Sequence, residues 1–203
     1  MSLEAGVPLT CVDSSGAMLS ILRKKLDERG LSGNILEADV CDLHLGEKYP
    51  LAMIPFHSFS ELLTDAEQAG ALSSIAKCLT EGGRLIVTLQ NPPSRLKRVD
   101  GQLHLLARHP LSEAGDVLLL WAVESYDERT RLVTGHQFFE VYDPDGLMKW
   151  RRIVDLTFRL VTRAEFEALA QGAGLSSVTV FGDYSRSPFE ESSSPFMIWM
   201  LQK

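Results

Sequence analysis

The chain has 203 residues, 45% of them hydrophobic and 23% charged, with a formal net charge of −7. That length and balance suit one globular domain with room for an insertion and a real core, and exclude a disordered or fibrous chain. The acidic balance argues against nucleic acid as a partner, because phosphate binders gather a basic face, and no apolar run approaches the length of a membrane span.

The N-terminal MSLEAG lacks a basic region followed by an apolar one, so neither a signal peptide nor an anchor is expected, and the setting is read as cytoplasmic. Cys11, Cys41 and Cys78 show no CxxC or Cys/His spacing, which predicts reduced thiols rather than disulfides or zinc ligands. His44, His104 and His109 have no partner at metal-like spacing, so no metal site is expected. The basic knot of Arg95, Lys97 and Arg98 reads as a solvated loop.

Residues 7–29 (VPLTCVDSSGAMLSILRKKLDER) read as a short apolar strand that ends in a carboxylate, Asp13, and turns at once into a helix. In open α/β sheets ligands sit at the carboxyl ends of strands, where an acid commonly accepts both hydroxyls of an adenosine ribose. The same acid can simply precede a helix capped by Ser14 or Ser15, and the stretch alone leaves both readings open. Ala17, Met18, Ile21, Leu22 and Leu26 form the helix's apolar stripe, and Gly30 closes it. Residues 34–40 (NILEADV) form a second strand ending in a carboxylate, Asp39, which predicts a parallel pair with a helical crossover.

Residues 49–59 (YPLAMIPFHSF) do not alternate, which suits a strand buried on both faces, with Pro55 ending its hydrogen bonding. Thr64 to Glu67 is a capping box that opens a helix with Ala69, Leu72, Ile75, Ala76 and Leu79 inward. Gly82 and Gly83 are expected to stop that helix and feed a strand over residues 84–90. From about residue 99 to residue 161 the pattern alternates, predicting three or four antiparallel strands with tight turns at YDERT and DPDG. At strand spacing Trp121, Phe138, Phe139 and Trp150 read as packing residues, and His136 as half exposed. A second capping box, Thr162 to Glu165, restarts the helical period, and strands over 177–184 and 196–202 are expected to pair antiparallel.

The succession VDSS plus helix, EADVCDL, LAMIPFHSF, LTEGGRLIV, QNP, an antiparallel insertion, a helix ending AGL and a final hairpin resembles a class I S-adenosylmethionine-dependent methyltransferase. Most similar are the small bacterial ones acting on small molecules. The resemblance implies an α/β fold: a Rossmann-like methyltransferase sheet, N-terminally truncated, with an antiparallel β insertion and a C-terminal antiparallel hairpin. The core would comprise residues 1–98 and 162–203, and the insertion, residues 99–161, would lie on the substrate side. The cofactor implied is S-adenosylmethionine. Asp13, with Ser14 beside it, would hold the ribose hydroxyls, Asp39 and the Val40 amide would meet the adenine, and Met18 would pack near it. Pro55 and Phe56 would lie beside the methionine part, with His57 as candidate base. The family's first strand and glycine-rich turn would precede Val7, where this sequence has only MSLEAG. The expectation is therefore a sheet lacking its central strand, whose neighbours either stay open or pair directly. Such a chain would be cut short, would have lost its cofactor site, or would act as a subunit completed by a second copy or a partner chain. An NAD-dependent oxidoreductase fragment is the other alternative, since Asp13 would serve a dinucleotide ribose equally well.

Overall fold

The computed structural model describes residues 6–111 and 115–203. Strand β1 (Thr10–Asp13) leads into helix α1 (Gly16–Glu28) and then β2 (Asn34–Glu37), which pairs with β1 in parallel. Ser15 caps α1 by accepting from the Met18 amide, Leu19 and Leu26 are its buried positions, and Gly30 leaves it at φ +63°. Asp39 then caps a short 3₁₀ turn, Val40–Asp42, instead of ending a strand.

Strand β3 (Tyr49–Ile54), helix α2 (Asp65–Cys78) and strand β4 (Leu79–Gln90) repeat the pattern, β3 and β4 being parallel. The capping box forms as expected, Thr64 and Glu67 satisfying each other's amides. The helix ends at Cys78 because Leu79 is already extended, so Gly82 and Gly83 do not stop it. They make the turn inside β4, where Gly82 lies at φ +73° and a side chain on Gly83 would meet the Thr80 carbonyl at 2.8 Å.

A short helix, α3 (Pro92–Arg95), leads to four antiparallel strands, β5 (Leu103–Pro110), β6 (Val117–Asp127), β7 (Leu132–Tyr142) and β8 (Met148–Arg159), paired in that order. Asp127 and Asp143 make the tight turns by accepting from main-chain amides two to four residues on. Helix α4 (Arg163–Gly172), opened by the second capping box, is followed by the antiparallel pair β9 (Ser176–Phe181) and β10 (Phe196–Gln202). The second sheet has the order β3-β4-β10-β9.

Its core lies on one face. Leu85, Val87 and Leu89 of β4 and Met197, Trp199 and Leu201 of β10 pack with Ala71, Leu72 and Ile75 of α2 and Phe166 and Ala170 of α4. Trp199 meets Phe166 at 5.0 Å between ring centroids, and Phe166 meets Phe59 edge-on at 5.3 Å. The other face is thinly covered, Leu51 being 46% and Met53 52% exposed. Strand β3 is therefore not buried on both faces. Among the described residues it pairs only with β4, and β1 only with β2. The two edges neighbour each other without pairing, joined by a 3.0 Å hydrogen bond between Thr10 Oγ1 and the Tyr49 hydroxyl. No described helix is long and apolar enough to cross a membrane.

Candidate active site

Three acids meet at the carboxyl ends of β1 and β2. Asp13 is in register with Glu37, and Asp39 follows two residues later. Asp13 and Asp39 are exposed, and among the described residues neither joins an ion pair. Each uses one oxygen to fix its own turn, Asp13 accepting from the Ser15 amide and Asp39 from the Cys41 amide, both at 2.8 Å. Asp13 thus shapes the start of a helix capped by Ser15 and still faces solvent. Glu37 was not singled out from sequence. A side chain on Gly16 would come within 2.8 Å of its Oε2, so its carboxylate lies at the positive end of α1, whose first turn has no acid of its own. The acid two residues before Asp39, in register with Asp13, is the signal that marks it.

Around this edge Ser14 and Met18 are exposed, Met18 to 56%, and Val40 opens the 3₁₀ turn. That turn is pinned on α2, with Ser74 Oγ donating to the Val40 carbonyl and Cys41 Sγ lying 3.4 Å from the Glu67 carbonyl. Burial, with Asp39 beside it, pushes the Cys41 thiol up to about 11, which makes it a poor nucleophile at neutral pH.

Pro55, Phe56 and His57 leave the tip of β3, the strand whose first residue, Tyr49, bonds Thr10 at the start of β1. Phe56 at φ +54° and His57 at φ +66° are consecutive left-handed residues, each costing about 1–3 kcal/mol, a strain that collects where a loop serves a site. The turn is held by the Pro55 carbonyl accepting from the Ser58 amide and the His57 carbonyl from the Ser60 amide. Phe56 is 82% exposed, whereas His57 turns inward, its ring 5.2 Å from that of Phe196 and its Nδ1 buried without a partner. Burial lowers the His57 pKa, the Thr88 main chain opposes this, and the Arg95 charge lowers it further. A histidine held neutral is the form that accepts a proton.

The rear wall is tied down by Asn91, 1% exposed, whose Nδ2 donates to the Glu191 and Ser194 carbonyls, both at 2.8 Å. Asn91→Ala removes both bonds, the Ser194 carbonyl keeping only the Ser94 hydroxyl, and is expected to cost about 1–2 kcal/mol, read as a fall in urea midpoint with m unchanged. The insertion is joined to the same corner by an ion pair between Arg95 and Glu124. Farther out, His136 pairs with Asp155 and Glu140 with Arg151, Trp121 and Tyr142, away from the strand tips. Among the described residues no three potential ligands gather to hold a metal.

Residues 2–83 match the family model described as methyltransferase domain. Among solved structures, the CcbJ methyltransferase from Streptomyces caelestis aligns at TM-score 0.81 and 23% identity, over 98% of this chain and 76% of its own. An S-adenosylmethionine-dependent methyltransferase from Clostridium acetobutylicum aligns at 0.80 and 17%, over 96% and 74%. An amino pentose methyltransferase from Micromonospora echinaspora, solved with S-adenosylmethionine bound, aligns at 0.73 and 18%, over 96% and 73%. A sequence search of curated proteins finds no match. At these identities the structural likeness is one of fold, and the domain match covers the first two fifths of the chain. Residues 2–83 thus resemble a methyltransferase domain, and the chain as a whole shares the fold of the S-adenosylmethionine-dependent methyltransferases it aligns with.

Proposed function

We propose that this chain methylates a small-molecule acceptor at the strand tips, the observation that carries the reading being two exposed carboxylates without ion pairs, Asp13 at the end of β1 and Asp39 just beyond the end of the parallel strand β2. S-adenosylmethionine, when bound, supplies an electrophilic methyl group on a sulfonium. Asp13, beside Ser14, holds the ribose hydroxyls, while Asp39 and the Val40 amide read the adenine, with Met18 against its ring. Pro55 and Phe56 flank the methionine part, and His57 takes the acceptor's proton where the acceptor arrives protonated. Residues 1–98 and 162–203 form the core, and residues 99–161 an insertion over the acceptor side. Relatives of the fold act on an amino pentose and as a sugar N-methyltransferase, so an amine on a sugar-like ring is the first acceptor class to try. The acidic net charge fits no nucleic-acid role, and three free thiols fit a reducing, cytoplasmic setting.

Isothermal titration with S-adenosylhomocysteine tests the reading: heat at micromolar to millimolar ligand is expected, and none at millimolar ligand counts against it. His57→Gln should lower kcat by about 100-fold or more at neutral pH. Because the native pKa is lowered, the neutral base persists above it and is lost as pH falls through it. The acid limb of kcat therefore lies below the ordinary histidine range.

We infer also that the gap between β1 and β3 receives a further strand, from a second copy or a partner chain. Both edges run parallel to their inner neighbours, and an added strand would take about two strand spacings, roughly 10 Å. Native mass measurement and hydrogen exchange test this. A strict monomer whose β1 and β3 amides exchange as slowly as those of β4 would show the edges closed without help.

A further inference from the structure

Three side chains around the tip of β4 point to how the acceptor is chosen. Gln90, the last residue of β4, buries its Oε1 with no hydrogen-bond partner. It stands opposite Phe196 in the ladder, so the two side chains share a face. His57 buries its Nδ1 equally unpartnered beside the same Phe196 ring. On the Phe196 ring lies Tyr184 as well, 5.5 Å away and 62% exposed.

Buried polar groups are normally satisfied, and an orphan calls for an explanation. Of the four other orphans among the described residues, Gln68 Oε1, Arg159 Nε and Trp199 Nε1 belong to residues sealed in the core at 0–4% exposure, and Thr130 Oγ1 sits in the β6–β7 turn, away from any strand's carboxyl-end cleft in the core sheet. Gln90 and His57 are only partly buried, sit at the carboxyl ends of adjacent strands and have an exposed aromatic beside them. That is where ligands of open α/β sheets bind.

We propose that Gln90 selects the methyl acceptor and that Tyr184 and Phe196 seat it. The proposal rests on the methyl-transfer reading above. Gln90 Oε1 accepts a hydrogen bond from the acceptor's N–H or O–H, His57 Nδ1 accepts the hydrogen that must leave, and the rings lie against the carbon skeleton. The class is a neutral amine or hydroxyl on a small, ring-shaped, amphipathic molecule. The balance closes: the nucleophilic nitrogen or oxygen would form its bond to the methyl as the methyl–sulfur bond breaks, the bonding pair staying on sulfur as a neutral thioether, and it loses one proton to His57, which passes it to water. A carbon nucleophile without a polar hydrogen leaves Gln90 unsatisfied and is rejected. Asn91, the next residue, holds the connection between β9 and β10 that carries Tyr184.

Gln90→Leu separates this role from a structural one. If the amide waits for a ligand, replacing it with a slightly smaller apolar group raises Tm of the free protein by about 2–4 °C, and S-adenosylhomocysteine binds as in the wild type. A fall in Tm makes Gln90 structural and overturns the proposal. The ligand arm uses glucosamine and galactosamine as probes on the protein saturated with S-adenosylhomocysteine, followed through the His57 imidazole resonances. Both Gln90→Leu and Tyr184→Ala should weaken the perturbation at least tenfold. Equal binding by the variants, or no probe binding to the wild type at 100-millimolar scale, overturns it. Failure of S-adenosylhomocysteine to bind sinks the methyl-transfer reading instead, so the two failures are told apart.

Discussion

Asp13→Ala is expected to weaken S-adenosylhomocysteine binding about 100-fold. A hydrogen bond to a charged group contributes about 1.5–3 kcal/mol, and a ribose offers the carboxylate two hydroxyls. The loss is then about 3 kcal/mol, or two decades in Kd. Asp13 also accepts from the Ser15 amide, so alanine loosens the start of α1 as well. Asp13→Asn keeps an oxygen for that turn and removes the charge, and it should retain the stability of the wild type while losing most of the affinity. Asp39→Ala, which removes one contact to the adenine rather than two to the ribose, should cost about tenfold. Titration calorimetry orders the three variants. Equal binding by Asp13→Ala and the wild type would show that the strand tips do not hold the ribose.

What could be read from the residues were the devices that act within a few positions of themselves. Thr64 with Glu67 and Thr162 with Glu165 are capping boxes in the sequence and in the fold, and Asp143 turns its hairpin as the DPDG pattern requires. The alternation over residues 99–161 predicts three or four antiparallel strands, and four form, because one period decides both pattern and face. What depends on a distant neighbour was missed. An unbroken apolar run suits β3 as a strand buried on both faces, yet exposure is set by what covers each face, and Leu51 and Met53 are open because their face of the sheet is thinly covered. The left-handed turn at Phe56 and His57 has no glycine or asparagine to announce it. Arg95 looked like part of a solvated basic loop. Only the folded chain brings it to Glu124, 29 residues away in sequence.

That pair makes the second large effect. The Glu124 side chain is 6% exposed and that of Arg95 18%, and the guanidinium also lies 5.2 Å over the Phe158 ring. Arg95 follows the tip of β4 and Glu124 belongs to β6, so the contact staples the inserted sheet to the corner that holds His57. Arg95→Ala leaves a carboxylate buried without its cation, a change expected to cost about 3–5 kcal/mol. For a chain of this size that is a fall in Tm of about 10 °C, measurable by calorimetry. Replacing both partners, as in Arg95→Leu with Glu124→Leu, removes the stranded charge and should recover most of the loss, because the desolvation penalty goes with the pair. The double variant also isolates an effect on chemistry. The Arg95 charge is one of the influences holding the His57 pKa down, so its removal lets that pKa rise and moves the acid limb of kcat upward. A recovered Tm with an unmoved acid limb would mean that the pair serves the fold alone. If the limb shifts while stability returns, the same arginine both fastens the insertion and keeps His57 in its proton-accepting form.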